Sequence, residues 1–264
     1  MEYRFLLQEA LPVVEEAAAF IRSQAGKVND EDVEIKARNS LVSYVDKGAE
    51  EILVKGLRSI LPNAGFITEE ETVAQQKFEY TWIIDPLDGT TNFLQNIPFY
   101  SVSVGLVHHD ELVIGIVIDV EQKETFYASI GGGAWCNGKR IAVSERNTIA
   151  DAVVATGFPY AAKNVTPQML SVFDYFLKNA RGIRRLGSAA LDLAYVACGR
   201  FDIYYEASLN AWDMAGGILL VQEAGGRVCD LRGEQRMLEA GQVISANDKV
   251  FKEASAVIRN ILSA

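Results

Sequence analysis

Five short apolar runs between residues 64 and 130 constrain the fold more than any other feature of the sequence. They are rich in β-branched and aromatic residues and read AGFIT, TWIID, YSVSVGLV, ELVIGIVID and TFYASI. Runs of this length and composition are typical of β-strands. Before them, apolar side chains recur at helical spacing over about residues 4–24 and 45–61, with Pro12 as a kink or as the true helix start. The first part of the chain therefore predicts two helices and a sheet.

The last third of the chain alternates between strand patterns and helix patterns. The strand candidates are DAVVATGF, FDIYYE, GRVCD and QVISA, and the helix candidates are PQMLSVFDYFLKN, SAALDLAYVACG, DMAGGILLVQEAGG and KVFKEASAVIRNIL. This order predicts a layered α/β or α+β fold rather than simple βα alternation. Because no linker of Pro, Gly or Ser separates two parts, we expect a single domain over residues 1–264, with halves of about 1–145 and 146–264.

The charge of the chain limits its partners. The formal net charge is −10 and the pI is about 4.8, so a broad basic face for nucleic acid is not expected. A chain this acidic needs a local cation to bind a small phosphate, and a bound metal ion can supply it. Acidic residues interrupt the N-terminal apolar segment, and no uncharged run is long enough to span a bilayer. We therefore expect a cytoplasmic protein with no membrane segment.

Cysteine and histidine are sparse. Cys136, Cys198 and Cys229 lie far apart in the sequence, which is unlike a disulfide framework. With two histidines in all, a Cys/His zinc site is not expected. Both histidines precede Asp110 in a polar segment between two predicted strands, and a hairpin turn accounts for His108 and His109 better than metal ligation does.

The stretch WIIDPLDGTTNF, residues 82–93, carries the most chemical information. An apolar strand runs into Asp85, and Pro86 cannot continue a sheet ladder, so we expect the chain to turn there. Asp88 follows three residues later, and both carboxylates can point into the space beyond the strand. Gly89 permits close backbone approach, and Thr90 begins a helix whose free N–H groups suit an anion.

Two carboxylates beside an anion site repel phosphate unless cations lie between them. Hard oxygen ligands suit Mg²⁺, and the Leu87 carbonyl is a further candidate. A plain helix cap remains the alternative for Asp88. Three other acidic residues also have ordinary structural uses when taken alone: Glu69 in a solvated turn, Asp46 as a first-turn charge and Asp213 as an N-cap. Glu206 ends a predicted strand.

Taken together, WIIDPLDGTTNF and AWDMAGG resemble the inositol monophosphatase family, within the lithium-sensitive phosphatases that include fructose-1,6-bisphosphatases. The resemblance runs from Lys36 to the Gly225-Gly226 pair, and RRLGSAALDLAYVACGRFD is similar to the bacterial branch. It implies an αβαβα sandwich of helices and sheets, a homodimer, and two or three Mg²⁺ ions per active site.

The resemblance also implies roles for individual residues. Glu69, Asp85 and the Leu87 carbonyl hold a first Mg²⁺; Asp85, Asp88 and Asp213 hold a second; and Glu69 helps to bind a third. Asp46 and Thr90 orient the attacking water, and the N–H groups of Gly89 and Thr90 hold phosphate. Glu206 and Asp88 contact substrate hydroxyls beside Ala189, and Lys36 matches a lysine on a loop over the site. Asn210 stands where many relatives have histidine.

Three functions are compatible with this set. The first is hydrolysis of inositol monophosphate. The second is hydrolysis of fructose bisphosphate, phosphoadenosine phosphate or another sugar or nucleotide phosphate. The third is a regulatory role through protein binding, alone or beside catalysis. The complete acidic set favours an enzyme, which is expected to act on a small phosphorylated polyol or sugar.

Overall fold

A computed structural model describes residues 2–29, 31, 33–37, 40–159 and 166–263 of the chain. Its helices are α1 (Glu2–Gln24), α2 (Tyr44–Ile60), α3 (Thr90–Leu94), α4 (Pro167–Asn179), α5 (Ala189–Ala197), α6 (Ala211–Glu223), α7 (Met237–Ala240) and α8 (Asp248–Leu262). Pro12 lies inside α1, so it does not mark the start of that helix. Within the part of the chain described, no helix combines the length and the apolar character that crossing a membrane requires.

Seven strands form the larger sheet in the order of the chain. They are β3 (Gly65–Thr68), β4 (Tyr80–Asp88), β5 (Ser101–His108), β6 (Glu111–Asp119), β7 (Glu124–Ser129), β8 (Ala134–Cys136) and β9 (Lys139–Arg140). β3 pairs in parallel with β4, and all the other pairs are antiparallel. A short hairpin of β1 (Val33–Ala37) and β2 (Ser40–Ser43) precedes α2.

Five strands from the last third form a second, mixed sheet. They are β10 (Val153–Thr156), β11 (Gly182–Arg184), β12 (Ile203–Ala207), β13 (Gly226–Cys229) and β14 (Gln242–Asn247), and their order in the sheet is β11-β10-β12-β14-β13. The two sheets thus come from the two predicted halves of the chain. The assignment of both halves to one domain stays a prediction.

Three buried apolar clusters join these elements into five layers. The first packs α1 and α2 against one face of the seven-stranded sheet, where Trp82 and Ile84 of β4 are buried. The second packs α5 and α6 between the two sheets, and the third packs α4 and α8 on the outer face of the five-stranded sheet. The order of layers is α, β, α, β, α, which confirms the predicted fold class.

Close contact between α6 and the larger sheet depends on two paired glycines. Gly105 of β5 lies opposite Gly115 of β6. A Cβ atom on Gly105 would lie 2.6 Å from the Cβ of Ala215, and one on Gly115 would lie 2.3 Å from the Gly216 oxygen. Both distances are too short for a Cβ atom, so only glycine at these two positions lets α6 lie this close to the sheet. This packing matters for the site because α6 carries a predicted metal ligand, Asp213, in its first turn.

The expected turn at Pro86 is wrong. β4 continues to Asp88, and its pairing with β5 shifts between Asp85, which lies opposite Ser103, and Asp88, which lies opposite Ser101. Three steps along β4 therefore match two along β5, which is a β-bulge. A bulge tolerates proline because the ladder is already interrupted there.

Candidate active site

Nine of the predicted site residues line one cavity of about 130 Å³: Glu69, Asp85, Leu87, Asp88, Gly89, Thr90, Ala189, Glu206 and Asp213. They come from the ends of β3, β4 and β12 and from the first turns of α3, α5 and α6. Lys36 lies in β1, and its side chain lies outside the described residues. Asp46 does not line the cavity but contacts a residue that does.

Asp46 is held at the start of α2, where its carboxylate completes a capping box. Its Oδ2 accepts hydrogen bonds from the Ser43 backbone N–H at 2.7 Å and from the Ser43 hydroxyl at 2.8 Å. Its Oδ1 lies 3.1 Å from Thr90 Oγ1, and that hydroxyl also lies 3.0 Å from the Leu87 carbonyl. Burial raises the pKa of Asp46, and the bonds from Ser43 and Thr90 oppose that rise.

Asp85 is the central carboxylate and is only 1% exposed. Its Oδ1 accepts a hydrogen bond from the Leu87 N–H at 3.0 Å, which folds the bulge around it. Burial raises its pKa well above the usual range, and the charges of Glu69, Asp88 and Asp213 raise it further. A hydrogen bond between the Glu69 and Asp85 carboxyl groups acts in the same direction, because two carboxylates can share such a bond only through a proton.

Asp88 faces the start of α5. Its Oδ2 accepts hydrogen bonds from the Ser188 hydroxyl at 2.6 Å and from the Ala190 N–H at 2.8 Å. Burial raises its pKa to about 6, while those two bonds and the charge of Arg185 lower it. The alternative of a plain cap for Asp88 is wrong, because Gly89 is the N-cap of α3 and no side chain caps that helix.

Asp213 is the third residue of α6, and Asn210 is its N-cap. The Asn210 N–H donates to Asp213 Oδ2 at 2.6 Å, so the carboxylate completes a capping box from the third helix position. The alternative of Asp213 as the N-cap itself is wrong, because Asn210 occupies that position. Burial raises the pKa of Asp213 well above the usual range, and the charge of Asp88 is the next cause. Asp213 also lines the cavity.

Glu206 lies on the opposite wall, near the end of β12. The Tyr204 hydroxyl donates to its Oε2 at 2.7 Å. Burial raises its pKa to about 7, whereas the bond from Tyr204 and the charge of Arg185 lower it. Gly157 makes room for this carboxylate, since a Cβ there would lie 2.1 Å from Glu206 Oε1.

The sequence interpretation missed five polar residues of the cavity wall: Thr156, Arg185, Ser188, Asp192 and Ser208. Asp192 is 1% exposed, and within the described residues its Oδ1 has no hydrogen-bond partner. Burial and the charge of Glu206 raise its pKa well above the usual range. In the sequence, Asp192 is a single acidic residue within the apolar pattern of α5, and nothing local distinguishes it from a solvent-facing helix residue. Only the three-dimensional structure shows that it lines the cavity.

The donor set fits divalent cations. Glu69, Asp85, Asp88 and Asp213 bring four carboxylates to one small cavity, and mutual repulsion contributes to the raised pKa of two of them, Asp85 and Asp213. Without compensating positive charge, such groups hold protons instead of ionising. Hard cations that prefer carboxylate oxygen offset the repulsion between these carboxylates and let them ionise, and Mg²⁺ is such an ion.

Comparison with known proteins agrees with this geometry. The model of the inositol monophosphatase family matches residues 2–263. An inositol-1-monophosphatase of Rhizobium meliloti is 39% identical over 255 residues, covering 96% of each chain. The Nus factor SuhB of Pseudomonas aeruginosa is 38% identical over 259 residues, again covering 96% of each chain. The solved inositol monophosphatase of Anabaena superposes with a TM-score of 0.89 at 30% identity, covering 98% of this chain and 97% of that one.

The layered fold, the acidic cavity and these relatives define a phosphatase. The chain belongs to the inositol monophosphatase family.

Proposed function

We propose that this phosphatase hydrolyses inositol monophosphate, or a closely similar phosphorylated polyol, with Mg²⁺ bound in the acidic cavity. One observation carries the proposal: the carboxylates that follow β3, end β4 and begin α6 meet in the same cavity as Gly89 and Thr90, which follow the bulge. The similarity to an inositol-1-monophosphatase of Rhizobium meliloti supports the choice of substrate.

The family resemblance assigns the residues that would hold the ions, and all of them line the cavity. Glu69, Asp85 and the Leu87 carbonyl form one candidate set, and Asp85, Asp88 and Asp213 form the other, so Asp85 is common to both. Glu69 is also the candidate for a third ion. Bound divalent ions supply Lewis-acid stabilisation of phosphoryl charge and lower the pKa of water.

Asp46 and Thr90 are placed to position the attacking water. The Asp46 carboxylate is fixed by both donors of Ser43, so its Oδ1 points steadily at Thr90 Oγ1. The Thr90 hydroxyl has one proton to donate, either to Asp46 or to Leu87, and its oxygen can accept a hydrogen bond from water. The pair can therefore orient a water molecule and take up its proton through Asp46.

The phosphate and the alcohol occupy different parts of the same cavity. The backbone N–H groups of Gly89 and Thr90 are the proposed phosphate donors. Glu206 and Asp88 are the proposed acceptors for substrate hydroxyls, with Ala189 between them on the wall. Arg185 adds the positive charge that partly offsets these acids, as its effect on the pKa of Glu206 indicates.

A panel of phosphate esters assayed in Mg²⁺ tests the proposal. The panel contains inositol 1-phosphate, fructose 1,6-bisphosphate, phosphoadenosine phosphate and an aryl phosphate. The expected result is the highest kcat/KM for inositol 1-phosphate and no turnover when a chelator removes the metal. A higher kcat/KM for the nucleotide or the bisphosphate would overturn the assignment of substrate, and turnover in chelator would overturn the metal.

A second role, binding to a protein of the transcription apparatus, is favoured by the 38% identity to the Nus factor SuhB of Pseudomonas aeruginosa. An inactive Asp85→Asn variant separates the two roles, because protein binding should survive the loss of turnover. We also infer a homodimer in the cytoplasm, from the family resemblance. Sedimentation at equilibrium checks the dimer, and a single species with the mass of one chain would contradict it.

A further inference from the structure

Both histidines of the chain lie together at one end of the larger sheet. His109 and Asp110 form the turn between β5 and β6, as the sequence predicts, and His108 ends β5 opposite Glu111. The structure adds Glu79, which precedes β4. Its Oε1 lies 3.2 Å from His108 Nε2 and 3.2 Å from His109 Nε2.

The three side chains are held in this arrangement by contacts on several sides. The His109 N–H donates to the Glu79 carbonyl at 3.1 Å, which ties the turn to the start of β4. The Tyr80 ring stacks on the His108 ring with centroids 4.0 Å apart. The Tyr3 hydroxyl of α1 lies 2.6 Å from His108 Nδ1. Both imidazole Nε2 atoms are thereby directed at one carboxylate oxygen.

The two distances from Glu79 match those between ligands of one tetrahedral zinc ion, and the three ligand atoms all lie within 4.8 Å of one another. Zinc bonds of about 2.0–2.1 Å to nitrogen and oxygen, at tetrahedral angles, place neighbouring ligand atoms about 3.3–3.4 Å apart. The measured separations from Glu79 to each histidine are 3.2 Å. When His108 Nδ1–H donates to the Tyr3 oxygen, the Nε2 lone pair can bind a metal. Metal-binding histidines usually donate their other ring N–H to an oxygen atom in this way.

We propose that Glu79, His108 and His109 form a second metal site, for Zn²⁺ or a divalent transition ion of similar ligand preference. Its imidazole donors suit such ions rather than Mg²⁺. Three protein ligands leave one position for water, and the exposed fractions of the His109 and Glu79 side chains, 70% and 61%, leave that side open. Six residues of extended chain separate Glu79 from Asp85, about 20 Å along β4, so the site is distinct from the acidic cavity.

The test uses the fact that the chain has two histidines. The full chain, without a histidine tag and in excess Mg²⁺, is labelled with ¹⁵N at the imidazole rings and titrated with Zn²⁺. Imidazole signals then report this site alone, even if zinc also enters the acidic cavity. We expect both Nε2 resonances to shift together and to saturate at one equivalent of zinc.

Four variants complete the test. Glu79→Gln and His109→Asn each remove one ligand, and asparagine accommodates the positive φ of 48° at residue 109. Each should weaken binding by about ten-fold or more, as should Tyr3→Phe, which removes only the hydroxyl on His108. Asp110→Asn is the matched control, because it removes an exposed carboxylate from the same turn and should bind zinc normally. Unshifted Nε2 resonances, or equal affinities for Glu79→Gln and the parent chain, would overturn the site.

Discussion

Thr90 Oγ1 lies 3.1 Å from Asp46 Oδ1, although 44 residues separate the two in the sequence. The contact joins the first turn of α2 to the turn after the β4 bulge. Ser43 fixes the other oxygen of the same carboxylate, so the pair is rigid before any substrate arrives. This is the arrangement required of a group that aligns water with a phosphorus atom.

The Thr90 hydroxyl should matter to the chemical step rather than to binding. We expect Thr90→Val to lower kcat by about 10²–10⁴-fold, the range for loss of a proton-transfer group, with little change in KM. Thr90→Ser keeps the hydroxyl and should retain most of the activity. Steady-state kinetics of both variants check this. Equal activity of the valine and serine variants would show that the hydroxyl takes no part.

Glu206 should set specificity through the substrate hydroxyls. The Glu206 carboxylate is the proposed hydrogen-bond acceptor for the hydroxyls of the substrate, and a neutral amide accepts such bonds less well. Glu206→Gln should therefore raise KM for inositol 1-phosphate, which has these hydroxyls, more than for an aryl phosphate, which lacks them. The glutamine retains the size of the side chain and still accepts from Tyr204. A proportionate change in KM for both substrates would contradict the role.

Without metal, the acidic cavity should make the protein less stable as pH rises. The pKa of Asp88 is raised to about 6 and that of Glu206 to about 7 in the folded state, from 3.8 and 4.5. At a pH between the ordinary pKa and the raised pKa of either group, that group is ionised in the unfolded chain but still holds its proton in the folded chain. The unfolded chain therefore binds fewer protons, and the free energy of unfolding falls with increasing pH. Thermal unfolding in chelator should show Tm falling from about pH 4 to about pH 8.

Two controls accompany that measurement. Glu206→Gln removes one of the titrating groups and should make the fall in Tm shallower at its upper end. Saturating Mg²⁺ should raise Tm most at the higher pH, because the ionised carboxylates bind it best. A metal-free Tm that increases steadily over this range would contradict the raised pKa values.

Lithium should inhibit turnover. It resembles Mg²⁺ in size and hardness but carries one charge less, and the set Asp85, Asp88 and Asp213 is the candidate site for it after the alcohol leaves. The expected pattern is uncompetitive or mixed inhibition with respect to substrate, weakened by substitutions near Asp213. Initial rates at saturating substrate and limiting Mg²⁺ check it. Full activity in high millimolar lithium would exclude this site for the ion.

Much of the fold could be predicted because its signals are local. The helix α4 and the strand β6 match their apolar patterns residue for residue. Two kinds of element were missed: the short strands β8, β9 and β11, and the hairpin of β1 and β2. These strands are too short to show a periodic pattern. β11 also pairs with β10, from which α4 separates it in the sequence.

In the site, too, the residues that stand together in one sequence segment were predicted, and those that only the fold brings together were not. Asp85 and Asp88 were recognisable because an apolar strand, a proline and a glycine follow one another in one segment. Asp192 and Glu79 were not, because their significance comes from groups that the fold brings to them. The bulge at Pro86 was also missed, since proline stops a regular ladder and only the register with β5 shows that the strand resumes.

Phosphate release by Asp85→Asn, measured with inositol 1-phosphate over a full range of Mg²⁺ concentration, tests the central claim most directly. Asp85 is common to both candidate ion sets, and asparagine keeps its shape while removing the charge. The account predicts turnover at least about 10²–10³-fold below that of the parent chain at every Mg²⁺ concentration, with an unchanged or higher Tm in chelator, because one repelling charge is gone. Near-normal turnover with a normal melting curve would contradict the account.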